Sequence, residues 1–323
     1  MDRKPAVVLA GASGTIGCAV AAQLLAEGFP VTALLRDTPS GRTASGSREL
    51  EGADIRWVDF ADGAMLSQVL SELRADIVIS CLASRSGAPR DAQRVDHDAN
   101  LALLEAAEAS DARQFILLSA ICVQRPRLAF QHAKLAFEAR LRESPVAHTI
   151  VRPTAFFKSL SGQVGRVAAG KPFLLFGDGT LTRCKPISDA DCARFIAWCI
   201  DNPTSLGGTL PIGGPGPAIT LREQGELLFE RARQRPRFRS VPPSLFMVVA
   251  RLLAPFARVS KRAAAASEYA RIGHYYATQS MLLLDPATGE YSAELTPEYG
   301  SDRLGEHYDA LLERTAAPFT RID

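Results

Sequence analysis

The stretch Ala6–Gly17, AVVLAGASGTIG, decides the fold. Ala6 to Ala10 is an uninterrupted apolar run, the pattern of a buried strand. Gly11, Ala12, Ser13, Gly14, Thr15, Ile16 and Gly17 follow, and a helical pattern runs from Cys18 to Glu27. Strand, glycine turn and helix in that order open a nucleotide-binding βαβ unit. Each glycine has its own task. Gly11 lets the chain turn sharply off the strand, Gly14 lets backbone N–H groups approach a pyrophosphate, and Gly17 lets the helix pack close to the sheet. The helix N-terminus then turns its partial positive charge toward the phosphates. A glycine turn without a ligand would use the same residues, but the apolar flanks and the place at the first strand favour the coenzyme.

Working outward, Phe29 to Leu35 reads as a second strand closed by Arg36. An acidic residue there would bond the ribose hydroxyl of NAD and repel a phosphate. An arginine pairs with the extra phosphate of NADP, so NADPH is expected. Asp37 is the counter-argument, and a surface arginine is the plain alternative. Asp37 to Glu51 reads as a mobile polar loop in which Arg42 or Arg48 adds charge near the phosphate. Ile55 to Val58 is a third strand, ended by Asp59 and Phe60. Asp59 is expected beside the adenine, or as the N-cap of a helix over 63–73. Asp76 to Cys81 is a fourth strand, and Cys81, Leu82, Ala83 and Ser84 at its end suit a ribose or nicotinamide lying against backbone. Val95 to Ala109 has helical spacing.

The totals agree. A chain of 323 residues with 47% hydrophobic and 22% charged residues has an ordinary globular composition and room for one large or two modest domains. A net charge of +2 argues against nucleic acid as a partner. The six cysteines are scattered with no C-x-x-C pair, so neither a metal site nor a disulfide framework is indicated. They fit a reducing, cytoplasmic setting. A first strand this close to Met1 leaves no room for a targeting segment.

Gln114 to Leu118 is a fifth strand, ending in Ser119, and Phe130-Gln131-His132-Ala133-Lys134 follows. Thr149 to Val151 is a sixth, followed by Pro153, Thr154, Phe156, Phe157 and Lys158. Proline forces an extended exit from the sheet, the two phenylalanines supply flat apolar surface or plain core, and Lys158 suits a substrate carboxylate. Further on, Lys171 to Gly179 reads as a strand and turn, a helix starts near Asp189, Thr209 to Gly216 is a strand, and Leu221 to Arg233 is helical. Pro242 to Lys261 is apolar but broken by Arg251 and Pro255, too short and too charged to cross a membrane. Core or ligand cover is favoured there over a membrane-surface hairpin flanked by Arg258, Lys261 and Arg262. Tyr269, Tyr275, Tyr276 and Met281 to Asp285 continue a mostly buried segment, and a last helix lies near Leu304 to Arg314.

The G-x-x-G-x-x-G spacing resembles the short-chain dehydrogenase/reductase superfamily. That resemblance implies that Ser119 works with a Tyr-x-x-x-Lys helix, in which tyrosine passes a proton and lysine anchors the nicotinamide ribose. Phe130 stands at the tyrosine position and cannot donate a proton, while Lys134 remains; a solvated helix lysine is the alternative. Six further blocks are "CLASRSG" (81–87), "LLSAICVQ" (117–124), "VRPTAFFKSL" (151–160), "FGDGTLTRCKPIS" (176–188), "PIGGPG" (211–216) and "LDPATGEYSAELTPEYG" (284–300). Together they resemble the NADPH-dependent divinyl chlorophyllide 8-vinyl reductases, atypical NmrA-like members of that superfamily.

The resemblance implies a Rossmann-type doubly wound parallel sheet with a smaller, mostly C-terminal α+β part. Residues 1–155, with 189–215 returning, would bind NADPH, and 156–188 with 216–323 would bind substrate. It implies reduction of the 8-vinyl group of a divinyl (proto)chlorophyllide to ethyl in chlorophyll or bacteriochlorophyll synthesis. The coenzyme set is Gly11 to Gly17, Arg36, Asp59, Phe60, Cys81, Leu82, Ala83, Ser84, Ser119, Lys134, Pro153, Thr154 and Phe156. Phe156, Phe157 and Lys158 are assigned to the pigment. Lys134, Cys122 and Lys158 are the catalytic candidates, with His132 as another proton donor or a ligand to the pigment magnesium. No metal of the protein's own is expected. A leaderless start points to a phototrophic bacterium and to a cytoplasmic protein, with peripheral contact on the inner face of the photosynthetic membrane as the further option. A non-catalytic NADP-sensing regulator and a reductase of another conjugated alkene are the rival readings.

Overall fold

The computed structural model describes residues 3–256 and 260–316. The chain divides into two compact units, residues 1–153 with 189–212, and 154–188 with 213–323.

The first unit opens with β1 (Val7–Ala10), α1 (Thr15–Ala26), β2 (Val31–Leu35), α2 (Pro39–Ser45), β3 (Asp54–Trp57), α3 (Gly63–Leu73) and β4 (Ile77–Ser80). It continues with α4 (Pro89–Ala92), a wide turn of helix over Gln93–Asp98, α5 (Ala99–Ala109), β5 (Gln114–Leu118), α6 (Ala129–Arg142) and β6 (Ala147–Pro153). The second unit then takes α7 (Val164–Ala168), β7 (Phe173–Phe176) and β8 (Arg183–Cys184), before the chain returns to the first for α8 (Asp189–Trp198) and β9 (Gly208–Ile212).

The seven strands of the first unit are parallel, in the order β3-β2-β1-β4-β5-β6-β9. Val7 lies opposite Val31 on one side and Ile77 on the other. The strand order reverses at β1, so the carboxyl ends of β1 and β4 flank the crevice in which such sheets bind ligands. β1 and β4 are buried throughout, which is why both read as unbroken apolar runs rather than as alternations. Phe115, Phe137, Leu66, Leu70, Leu103 and Leu104 build the core on one face of the sheet.

Three sequence expectations shift. α1 begins at Thr15 rather than Cys18, because the Gly14 carbonyl already accepts the Cys18 N–H at 2.9 Å. The segment after Asp37 is not a plain loop. Thr38 accepts the Gly41 N–H at 3.2 Å and Pro39 starts α2, a cap and a first-turn proline that polar composition concealed. The cap of α3 is Asp62, which accepts the Met65 N–H at 2.9 Å, and not Asp59.

The second unit adds β10 (Ile219–Thr220), α9 (Leu221–Arg231), β11 (Phe238–Val241), α10 (Ser244–Leu253), α11 (Lys261–Thr278), β12 (Leu283–Leu284), β13 (Tyr291–Ser292) and α12 (Leu304–Ala316). Its core gathers Phe157, Phe173, Leu228, Phe229, Leu304 and Tyr308. α10 sets Phe246 against Phe176, and the Ser267 hydroxyl of α11 donates to the Ala250 carbonyl at 3.1 Å.

The rest of α10 departs from the expected core. Leu245, Val248, Val249, Leu252 and Phe256 are exposed, Leu252 by 67%. Tyr269 and Tyr276 are exposed as well, while Tyr275 is buried. Of the expected flanking cations, Arg262 is exposed, whereas Arg258 and the side chain of Lys261 lie outside the described residues. Among the described residues no helix is long and apolar enough to cross a membrane, and no cluster of metal-binding side chains occurs.

Candidate functional site

The glycine turn follows β1. Gly11 has φ +86°, and a Cβ there would stand 2.6 Å from the Cys81 carbonyl carbon and oxygen at the end of β4. A Cβ on Gly17 would lie 2.2 Å from the Gly11 carbonyl oxygen. Gly17 thus closes the first turn of α1 onto the glycine turn itself rather than onto the sheet. Gly14 is different. Its Cβ would meet only the Gly11 oxygen, at 3.3 Å, and the residue is exposed. Two glycines are required by the protein's own backbone, while Gly14 leaves space outside it. Gly14 is also the N-cap of α1, and no side chain caps that first turn. An open helix N-terminus beside a side-chain-free position fits a phosphate. Ala12 is buried, Ser13 and Ile16 are half-buried, and Thr15 is exposed.

Arg36 follows β2 and is half-buried, and its guanidinium has no ion-pair partner among the described residues. Asp37 is turned away into a pair with Arg42 at 2.7 Å, whose hydrogen bond lowers its carboxyl pKa. The acidic neighbour that argued against NADPH is therefore engaged, and so is Arg42. Arg48 is exposed. Asp59 is exposed and accepts the Ala61 N–H at 3.0 Å, while the Phe60 ring sits in the core.

At the end of β4, burial pushes the Cys81 thiol up to about 12, against the pull of the Lys134 charge. Leu82 belongs to the core, Ala83 is exposed and Ser84 half-buried. Lys134 is not a solvated helix lysine. It is buried, and its Nζ lies 3.0 Å from Asp96 Oδ1. Ser119 is buried and donates its hydroxyl to Glu138 Oε1 at 2.6 Å. Glu138 also accepts Arg142 at 2.9 Å and both Nε and Nη2 of Arg152. Burial pushes the Glu138 carboxyl up, but the hydrogen bond and charge of Arg152, with Ser119 and Arg142, outweigh it and hold the carboxyl below its usual range. Phe130 is half-buried, Cys122 is buried and His132 is exposed.

Pro153 ends β6 in the first unit. In the second unit the Thr154 hydroxyl bonds the Lys185 carbonyl, Phe156 is half-buried and Lys158 is exposed. Phe157 differs from the expectation of a pigment surface. It is buried, with its ring against His307 at 5.5 Å, and has no open face. The residues that sequence reasoning missed are Asp96 and Glu138. For Glu138 a signal existed, because it lies one helical turn beyond Lys134 and shares its face. For Asp96 none did, because it is set by a wide turn that leaves no mark in an apolar pattern.

A reversing parallel sheet, an open glycine turn and, among the described residues, an arginine without an ion pair after β2 are the features of a Rossmann-type NAD(P)-binding fold. The family model described as NAD(P)H-binding matches residues 11–203. The divinyl chlorophyllide a 8-vinyl-reductase of Arabidopsis thaliana is 42% identical, covering 96% of this chain and 78% of the relative. The same-named protein of Oryza sativa subsp. indica is 44% identical over 96% and 79%. The chain belongs to the divinyl chlorophyllide a 8-vinyl-reductase family. Among solved structures, leucoanthocyanidin reductase of Vitis vinifera with NADPH has a TM-score of 0.72 at 17% identity, covering 95% of this chain and 99% of that one, a likeness of fold.

Proposed function

We propose that this protein reduces the 8-vinyl group of a divinyl (proto)chlorophyllide to ethyl with NADPH. The observation that carries the reading is membership of the 8-vinyl-reductase family across almost the whole chain, and the first unit's geometry agrees with it. Gly14 and the uncapped start of α1 would take the pyrophosphate, Arg36 the extra phosphate, and Lys134 the nicotinamide ribose. When bound, NADPH supplies the hydride.

The protein's own residues bind, orient and exclude water. A hydride added to a ring-conjugated vinyl group leaves negative charge spread over the macrocycle, and no oxyanion forms at the reacting atoms. The site therefore has no task for a phenol, which agrees with Phe130 at the tyrosine position. Ser119, whose proton goes to Glu138, is likewise absorbed into structure. Orientation is the main requirement. Phe156 and Lys158 of the second unit are assigned to the pigment. Of the proton-donor candidates, Lys158 and His132 are exposed and Cys122 is buried, so the first two are the accessible ones.

The exposed apolar stripe of α10 supports contact with a membrane surface. The exposed charges described on the hairpin, Arg251, Arg262 and Arg271, are all basic, and Glu268 is buried. An apolar stripe edged by cations suits an anionic lipid face. The reading as a whole is tested by mixing the protein with NADPH and divinyl chlorophyllide and following the pigment spectrum.

A further inference from the structure

The wide turn over Gln93–Asp98 between α4 and α5 holds the most unusual buried charge in the first unit. Asp96 is 1% exposed. Its Oδ1 accepts the Ser84 N–H at 3.3 Å and pairs with Lys134 Nζ at 3.0 Å, whereas Oδ2 is buried with no hydrogen-bond partner. An orphaned carboxylate oxygen beside a buried ammonium is costly unless something fills it. The turn is clamped. The Asn100 amide donates to the carbonyls of Val95 at 3.0 Å and Asp96 at 3.3 Å, and Asn100 Oδ1 accepts the Ser80 hydroxyl at 2.5 Å. Ser80 ends β4, so a run of bonds joins the strand end, the wide turn and Lys134 of α6. Wide turns of this kind recur where a helix must aim a side chain at a functional site.

From this geometry we infer that Asp96 is the positioning residue for Lys134, fixing the ammonium that takes the nicotinamide ribose. The inference rests on the NADPH reading. On the elements around Asp96, Asp91 pairs with Arg94, His97 with Asp98, and Glu138 with Arg152 and Arg142, while the Cys81 thiol feels the Lys134 charge. The inference thus concerns one carboxylate and one ammonium.

The test titrates the full-length protein with NADPH and, separately, with 2′,5′-ADP, which carries the adenosine phosphates and lacks the nicotinamide ribose. Asp96→Asn keeps the shape and the acceptor for Ser84 but removes the charge. It is expected to weaken NADPH about tenfold while leaving 2′,5′-ADP unchanged. In a Lys134→Met background the same change is expected to do nothing more, since Asp96 acts through the ammonium and the ribose it holds. Should Asp96→Asn not fold, Asp96→Glu keeps the charge but displaces the ammonium, and the same split between the two ligands is expected. Equal NADPH affinity in the Asp96 variant, full additivity with Lys134→Met, or parallel loss of 2′,5′-ADP would each overturn the inference. Failure of the unaltered protein to bind NADPH would instead remove the functional reading beneath it.

Discussion

The hydroxyl of Ser119 is bound to the carboxylate of Glu138 at 2.6 Å, inside the first unit and with neither residue exposed. A serine at this strand end reads as a ligand group, yet here it is one corner of a buried ion cluster. Ser119→Ala should cost about 1.5–3 kcal/mol of stability and little turnover, whereas Glu138→Ala, which strands Arg152, should cost about 3–5 kcal/mol. Denaturant titration beside activity checks both. An Ser119→Ala variant as stable as the parent but catalytically dead would return the serine to the chemistry.

The same cluster has a pH signature. The folded Glu138 carboxyl is held below its ordinary value of 4.5, so the unfolded chain binds that proton more readily. Its contribution to stability is therefore complete above the ordinary value and is lost as pH falls through the folded one. As pH falls below 4.5 and through the folded value, the unaltered protein should lose stability more steeply than Glu138→Gln, whereas from neutral pH down to 4.5 the two should run parallel, as read by thermal melts across pH. Parallel slopes below 4.5 as well would mean that the cluster is not coupled to folding.

The three glycines of the turn should separate. Gly11→Ala and Gly17→Ala run into backbone at 2.6 and 2.2 Å and should each destabilise the fold by at least about 2 kcal/mol. Gly14→Ala meets one oxygen at 3.3 Å and should melt close to the parent while losing NADPH affinity about tenfold. Melting and coenzyme titration of the three variants decide it. A Gly14→Ala variant that keeps its affinity would take the phosphate away from α1.

Arg36→Glu should weaken NADPH far more than NADH, because only the former brings a phosphate to the end of β2. Dissociation constants for both coenzymes are the measurement, and equal losses would remove Arg36 from its role.

The hairpin makes a prediction of its own. The protein should float with vesicles containing phosphatidylglycerol and much less with neutral ones. Val248→Glu with Leu252→Glu should cut that binding about fivefold or more, since both side chains stand exposed one helical turn apart on α10. Equal flotation of variant and parent would leave the stripe to another occupant.

How far the sequence could be read follows from what kind of cause fixes each feature. β1 and its glycine turn were legible because a strand buried on both faces and a backbone collision both demand particular residue types. The place of Arg36 at the end of β2 was legible because the apolar run of the strand stops at Leu35. α2 was hidden, since Thr38 and Pro39 in a polar stretch look like loop until the cap bond is seen. The exposed face of α10 was hidden for the opposite reason, because Val248 and Leu252 look like core in any pattern. The pairing of Lys134 with Asp96 joins residues far apart in the chain through a turn that breaks the helical period, and no spacing rule reaches it.

The most direct measurement of the central claim follows the pigment itself. Divinyl chlorophyllide incubated with the protein and NADPH should lose one conjugated double bond, and its blue absorption band should move to shorter wavelength as NADPH is consumed in equal amount. Tight NADPH binding with an unmoved band and no coenzyme consumed would contradict the account.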